Sequence, residues 1–272
     1  MSQQQQTVSI ASHTKIGEGY YVIGLKAPWL AKKSKPGQFV MCRIPNADLL
    51  WGRAFSIYDV CGDEVLLLYK VMGKGTRILV EKKCGEAVEV IGPLGNQFSP
   101  PKPDQFLLLV GGGVGLPPLY FYAKTYSQFA SQMRILIGAR NQANVILEKE
   151  FKALGCHVEV ATEDGSLGLK GFVTELLKNS LRNNMKIKNR LAMAACGPNP
   201  MLKAVGEIGI AHQIPTEISM EEAMACGLGV CLGCVVKTRC TPEQKKELKR
   251  DETYTRLCCE GPVLNAERVI WE

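Results

Sequence analysis

The sequence predicts a multidomain β plus α/β protein: an antiparallel β-barrel, then a parallel-sheet α/β unit, then a small cysteine-rich segment. Three observations carry this fold class. The first hundred residues hold short apolar runs punctuated by Gly and Pro, the pattern of a small barrel or sandwich. From Phe106 onward strands alternate with helix-length segments, which calls for parallel pairing with crossover helices. Six of the eleven cysteines then fall between Cys226 and Cys259. At roughly 150 residues per domain, 272 residues give about two domains. The cysteine-rich segment, too short for a core of its own, makes a third. The boundaries are expected at 1–102, 103–213 and 214–272.

The elements follow in order. Thr7–Ile10, Tyr20–Leu25, Gln38–Ile44 and Val65–Val71 are β-like runs separated by Gly17, Gly19, Pro36-Gly37, Gly62 and Gly73. Ser99–Asp104 contains three prolines and reads as a stiff connector, because proline blocks helix and central strand alike. Phe106–Val110, Arg134–Gly138, His157–Ala161 and Arg190–Ala195 are the strands of the second unit. Helices are expected over Val145–Leu154, Gly171–Ser180 and Pro200–Ile208, with a further apolar segment near Leu119–Phe129. Arg239–Thr253 is densely charged and is expected to be an exposed loop or hairpin.

Composition excludes several classes. Hydrophobic residues make up 46% of the chain and the longest aliphatic runs are four residues, such as Leu107–Val110. A membrane-spanning helix needs about 20 apolar residues, so no membrane association is expected. A net charge of +7 without a dense basic run suits an anionic ligand and does not define a nucleic-acid surface. Met1–Gln6 has neither a basic region nor an apolar signal core and is expected to be a frayed polar tail. The cysteines are therefore read as thiols or metal ligands in a cytoplasmic protein, not as a disulfide framework.

Four motifs carry chemistry. Cys226-x4-Cys231-x2-Cys234, with Cys258-Cys259 following after 23 residues, has the spacing of a plant-type 2Fe–2S site. Four thiolates must reach two irons from a tightly wrapped loop, and Gly227, Gly229 and Gly233 allow such wrapping. A zinc knuckle and simple buried thiols are the alternatives, although zinc sites usually show two CxxC-like pairs. The spacing leaves the fourth ligand open between Cys258 and Cys259.

The second motif, Gly111-Gly-Gly-Val-Gly-Leu-Pro-Pro118, directly follows a strand and can bring backbone N–H groups against a pyrophosphate. It departs from G-x-G-x-x-G at Pro117, which a first helical turn tolerates. In the third, Arg53-Ala-Phe-Ser56 is followed by Lys70 and Gly73-Lys-Gly-Thr76. Cations, hydroxyls and amides there suit a diphosphate, and Phe55 and Ser56 suit a flavin ring. The fourth, Cys196-Gly-Pro198, ends a parallel strand, where ligands of open α/β sheets gather.

In this order the motifs resemble those of ferredoxin-reductase-like flavoproteins, and most closely the electron-transfer subunits of type B dihydroorotate dehydrogenases. The resemblance covers roughly residues 5–270. It is carried further by Ala161–Ser166, Met224–Cys234 and Cys258-Cys-Glu-Gly-Pro-Val263. It implies a barrel that binds FAD through Arg53, Phe55, Ser56, Lys70, Gly73, Gly75 and Thr76. It implies NAD binding through Gly112, Gly113 and Gly197, with Cys196 as the catalytic-site residue at the nicotinamide. The fourth cluster cysteine of such subunits precedes a Gly-Pro ending in the manner of Cys258, so the implied ligands are Cys226, Cys231, Cys234 and Cys258. Cys259 is a departure, since the family does not require a thiol there.

Glu163 and Asp164 stand where NADPH-dependent relatives place hydroxyl and arginine side chains. Carboxylates repel a 2′-phosphate and accept hydrogen bonds from a ribose hydroxyl, so NAD is expected over NADP.

The implied function is transfer of electrons from the FMN of a dihydroorotate-oxidising partner through a 2Fe–2S cluster and FAD to NAD+, in pyrimidine biosynthesis. A heterotetramer with two copies of each subunit is implied. His13, His157 and His212 lie outside every motif and receive no catalytic role. The alternatives are a reductase subunit of a hydrogenase or of a ferredoxin:NADP transhydrogenase, and a zinc-binding regulatory protein with a vestigial nucleotide fold.

Overall fold

The structure is a computed structural model and describes residues 4–45, 47–183 and 189–271. The first six strands are β1 (Gln4–Gly17), β2 (Tyr20–Lys26), β3 (Phe39–Arg43), β4 (Arg53–Cys61), β5 (Glu64–Lys70) and β6 (Ala87–Leu94). They close an antiparallel barrel in the order β1-β2-β5-β4-β3-β6, with β6 returning to β1. Two short helices, α1 (Pro28–Ala31) and α2 (Lys74–Val80), join its strands.

The near-continuous apolar run of β5 has a physical cause. Val65, Leu67 and Tyr69 point into the barrel core, while Leu66 and Leu68 pack with Tyr20, Tyr58, Phe98, Leu107 and Leu109 in the core shared with the following unit. Successive strand residues face opposite sides, and here both sides are covered. The barrel and the α/β unit therefore meet across a packed seam.

The second unit runs β7 (Phe106–Gly112), α3 (Leu116–Thr125), β8 (Met133–Ala139), α4 (Glu148–Ala153), β9 (His157–Thr162), β10 (Leu169–Lys170), α5 (Val173–Asn183), β11 (Leu191–Cys196), α6 (Asn199–Ala211) and β12 (Thr216–Ser219). After a loop come β13 (Val235–Arg239), α7 (Pro242–Leu248), β14 (Glu252–Arg256), α8 (Leu257–Glu260) and β15 (Val263–Asn265). The sheet order is β10-β9-β8-β7-β11-β12-β15. It is parallel except for β15, which pairs antiparallel with β12 through Ile218 and Leu264.

Segment 214–272 is thus woven into the α/β unit. Its strands β12 and β15 extend the sheet, and Ile218, Cys234, Leu257, Cys258 and Leu264 share a core with Met193 and Leu202. Asn96, just past the barrel, clips it further: Asn96 Nδ2 donates to Val263 O at 2.7 Å, and Val263 N donates to Asn96 Oδ1 at 2.9 Å.

Several expectations are corrected in detail. Gln4–Gln6 are not a frayed tail; they pair with Val90–Gly92 in the barrel, and Met1–Gln3 lie outside the described residues. The Gly73–Thr76 motif forms the N-cap and first turn of α2. The helix expected from Gly171 starts at Val173, because Gly171 adopts φ +131. The helix expected over Val145–Leu154 is confined to α4, after Leu147 at φ +64. The charged run is a hairpin as expected, β13–β14, with α7 added at its tip.

Candidate functional site

One cavity of about 990 Å³ lies along the seam between the barrel and the sheet. From the barrel side Arg53, Phe55 and Ser56 of β4, Lys70 at the end of β5, and Thr76 of α2 line it. The Arg53 guanidinium is fixed before any ligand arrives. Its Nη1 donates to the Trp51 and Gly52 carbonyls at 2.6 and 3.2 Å. Gly75 makes room for it, since a Cβ there would stand 2.5 Å from Arg53 Nε. Thr76 Oγ1 accepts from Met72 N at 2.9 Å and Gly73 N at 3.2 Å, tying the start of α2 to the cavity rim. Gly75 therefore stands behind the wall that Arg53 forms, and neither Gly73 nor Gly75 lines the cavity itself. The Lys70 ammonium sits 4.9 Å from the centre of the Tyr20 ring.

From the other side come the carboxyl ends of the parallel strands: Gly112 and Gly113 at the end of β7, Gly138–Arg140 at β8, Glu163 after β9, and Gly197 after β11. This is the rim at which ligands of open α/β sheets bind. The turn after β7 crosses the end of β11 so closely that a Cβ on Gly115 would overlap the Cys196 carbonyl. Glycine at 115 is thus needed for backbone to meet backbone.

Cys196 is the last residue of β11 and is 1% exposed, behind the wall that Gly197 presents. Burial pushes its thiol far above the ordinary range. The Glu221 carboxylate adds to this, and the Ser219 hydroxyl opposes it. The two sequence-predicted acids part company. Glu163 opens on the cavity. Asp164 turns to Ser166, whose hydroxyl and backbone N–H donate to Asp164 Oδ1 at 2.6 and 2.9 Å and hold its carboxyl below the usual range.

Sequence reasoning missed Tyr20, Tyr69, Arg140, Glu221 and Glu222, all of which line the cavity. The two tyrosines read simply as strand residues. Glu221 and Glu222 follow β12, so the carboxyl-end rule would have found them had that short strand been identified. His13 bonds Tyr69 Oη at 2.8 Å and the Lys82 carbonyl at 2.9 Å within the barrel.

The cysteine loop leaves the same cavity. Met224 lines the cavity, and Cys226 follows two residues later. Gly227 is wedged against the barrel, where a Cβ would lie 2.5 Å from Met41 Cγ. Leu228 N and Cys231 N donate to Cys226 Sγ at 3.3 and 3.5 Å, and Gly233 N donates to Cys231 Sγ at 3.5 Å. Burial opposes it, yet the N–H groups of Cys231 and Leu228 bring the Cys226 thiol down to about 6. Cys234 and Cys258 are buried side by side in the α/β core, and Cys258 Sγ lies 3.6 Å from the exposed Cys259 Sγ. Among the described residues no three His, Cys, Asp or Glu side chains meet at one metal-sized position. An all-thiol donor set on a glycine-rich loop, with backbone N–H groups aimed at sulfur, fits an iron–sulfur cluster. Cys226, Cys231, Cys234 and Cys258 are the residues that would hold it.

Known proteins agree with this geometry. Residues 221–270 match the family model of the iron-sulfur cluster binding domain of dihydroorotate dehydrogenase B, and residues 109–207 match an oxidoreductase NAD-binding domain. Among curated proteins, the "Dihydroorotate dehydrogenase B (NAD(+)), electron transfer subunit" of Desulforamulus reducens is 35% identical over 255 residues, covering 93% of each chain. The protein of that name from Caldanaerobacter subterraneus is 37% identical over 262 residues, covering 96% of this chain and 97% of its own. Among solved structures, an NADH-dependent reduced ferredoxin-NADP oxidoreductase aligns with a TM-score of 0.82 at 29% identity, over 97% of this chain and 90% of that one. A ferredoxin reductase of carbazole 1,9a-dioxygenase aligns at 0.68 and 18% identity over 79% and 68%, a likeness of fold alone. Similarity of this extent along nearly the full length of both chains means that the chain belongs to the family of electron-transfer subunits of NAD-linked dihydroorotate dehydrogenase B.

Proposed function

We propose that this chain carries electrons from the FMN of a dihydroorotate-oxidising partner, by way of a 2Fe–2S cluster and FAD, to NAD+, as a step of pyrimidine biosynthesis in the cytoplasm. The observation that carries the reading is the single cavity whose walls hold Arg53 and Ser56, Gly112 and Gly197, and Met224 beside the first cluster cysteine. Flavin suits this junction because it works in one- and two-electron steps, whereas nicotinamide takes only hydride.

The chain's own residues divide the work. Arg53 and Lys70 place positive charge, and the first turn of α2 at Lys74–Thr76, capped by Gly73, places backbone N–H groups, where a flavin diphosphate would lie. Phe55 and Ser56 flank the ring. Gly112, Gly113 and Gly197 let backbone approach the dinucleotide, and Cys196, kept as a neutral thiol, backs the nicotinamide end. Glu163 meets the adenosine ribose and favours NAD over NADP, with Asp164 shaping the turn beside it. Cys226, Cys231, Cys234 and Cys258 hold the cluster. By function the chain divides into a flavin barrel (1–102), a nucleotide unit (103–213) and a cluster segment (214–272), assembled with the partner as a heterotetramer of two copies each. Eleven free cysteines suit a reducing compartment.

Reconstitution with a dihydroorotate-oxidising subunit tests the reading: dihydroorotate-dependent NAD+ reduction, with stoichiometric FAD, iron and sulfide in this chain, is the expected result. The structural likeness to a ferredoxin-NADP oxidoreductase favours a second reading, a transhydrogenase-type subunit. Reduction of a ferredoxin in place of any response to dihydroorotate would select it.

A further inference from the structure

The cluster segment contains two more thiols than a 2Fe–2S site uses, Cys240 and one of the adjacent pair Cys258 and Cys259. Cys258 and Cys259 are adjacent in α8, their sulfurs are 3.6 Å apart, and they stand in different surroundings. Cys258 is fully buried beside Cys234. Cys259 is exposed and leans over the cysteine loop at Gly229, between Cys226 and Cys231. A Cβ on Gly229 would stand 2.7 Å from Cys259 Sγ and 3.4 Å from Arg256 Nη1. Residue 229 adopts φ +76, and only a glycine both takes that conformation readily and leaves the sulfur its place.

We infer that Cys259 is a reserve cluster ligand: Cys258 holds the cluster at rest, and Cys259 takes over its iron when the Cys258 sulfur is lost. The exchange is thiolate for thiolate. The bond between iron and Cys258 sulfur breaks, the bond between iron and Cys259 sulfur forms, and the proton leaving Cys259 passes to the released Cys258 thiolate. No electron is gained or lost. The pairing of one buried and one exposed sulfur makes this possible with little movement, since the second sulfur already faces the loop that carries Cys226 and Cys231.

The inference rests on the cluster assignment above, and the experiment separates the two. The full-length chain is purified without oxygen as wild type, Cys258→Ala, Cys259→Ala and Cys258→Ala/Cys259→Ala. Iron, acid-labile sulfide and bound flavin are measured, with the EPR spectrum of the reduced cluster. Both single variants should retain most of the iron and sulfide and the double variant should lose them. Cys259→Ala should keep the wild-type g values and Cys258→Ala should show shifted ones. Flavin retained in all four reports an intact barrel. If Cys258→Ala does not fold, Cys258→Ser is compared with Cys258→Ser/Cys259→Ala, because the difference in iron between them isolates the Cys259 sulfur even if serine itself binds. A Cys258 variant as empty as its double, or a double variant as full as the single, overturns the exchange. Wild type without iron and sulfide refutes the cluster assignment instead.

Discussion

The cavity rim carries Glu163 just past β9 and Arg140 just past β8, and on the proposed nucleotide assignment the balance between them would set nucleotide choice. A 2′-phosphate brought to this rim meets the repulsion of Glu163 and the attraction of Arg140. Removing the carboxylate leaves the cation unopposed. Glu163→Gln should therefore raise kcat/KM for NADPH relative to NADH by about fivefold, equivalent to about 1 kcal/mol for one charge pair near contact in water. Asp164→Asn should leave that ratio unchanged, because its carboxylate is engaged with Ser166. Steady-state kinetics with both nucleotides and an artificial acceptor would show this, and equal responses of the two variants would refute the assignment of Glu163. Gly115 gives a second residue-level test. Its Cβ would meet backbone of Cys196 and Gly197, which cannot rotate aside as a side chain can. Gly115→Ala should destabilise the α/β unit by about 2 kcal/mol, the usual cost of overpacking, and raise KM for NADH. An unchanged Tm together with an unchanged KM would show that the turn is not held by this contact.

At the scale of elements, the long apolar strands were legible in the sequence and the short or two-faced ones were not. Phe106–Val110 and Arg134–Gly138 are buried on both faces between helices, and such strands read as continuous apolar runs. β4 and β12 escaped. β4 begins with the polar motif Arg53–Ser56, which serves the cavity, and β12 has four residues. The flavin-side and nucleotide-side motifs were legible because their chemistry demands particular residue types. Tyr69 and Arg140 reach the cavity only through the barrel's closure and the crossover from β8, and no local pattern records that. The cysteine loop shows the same limit from the other side. Its spacing was plain, yet the return of the chain from the loop into the sheet as β15 was not. That return divides the segment by stability. β12 and β15 are held by sheet pairing and core packing, whereas the loop offers Leu228, Val230 and Leu232 to solvent. Removal of iron by a chelator should raise amide hydrogen exchange across residues 221–234 and leave β7, β11 and β12 protected, because metal binding replaces a core only where a core is missing. Exchange spreading through the sheet would contradict this division.

At the scale of the whole molecule, the cysteine loop faces two ways. Its inner side meets the cavity through Met224 and the barrel through Gly227 against Met41. Its outer side presents Leu228, Val230 and Leu232, with Val230 80% exposed. Apolar side chains exposed together on one loop are the kind of patch that an interaction surface presents. A one-electron carrier placed here is close to the flavin motifs on one side and to whatever covers the loop on the other, which is the arrangement an electron-transfer subunit needs. The catalytic partner should therefore dock over the outer side of this loop. Val230→Asp puts a charge into that contact without touching a thiol or a cavity residue. It should weaken assembly with the partner by at least about tenfold, since a buried unpaired charge costs more than 1.4 kcal/mol. Iron content and NADH-driven dye reduction by the isolated chain should stay at wild-type values. Gel filtration of the mixed subunits and dihydroorotate-dependent NAD+ reduction measure the two halves of this prediction. A Val230→Asp chain that assembles and turns over like wild type would move the partner to another face, and the electrons would then have to enter the cavity by a route that does not cross this loop.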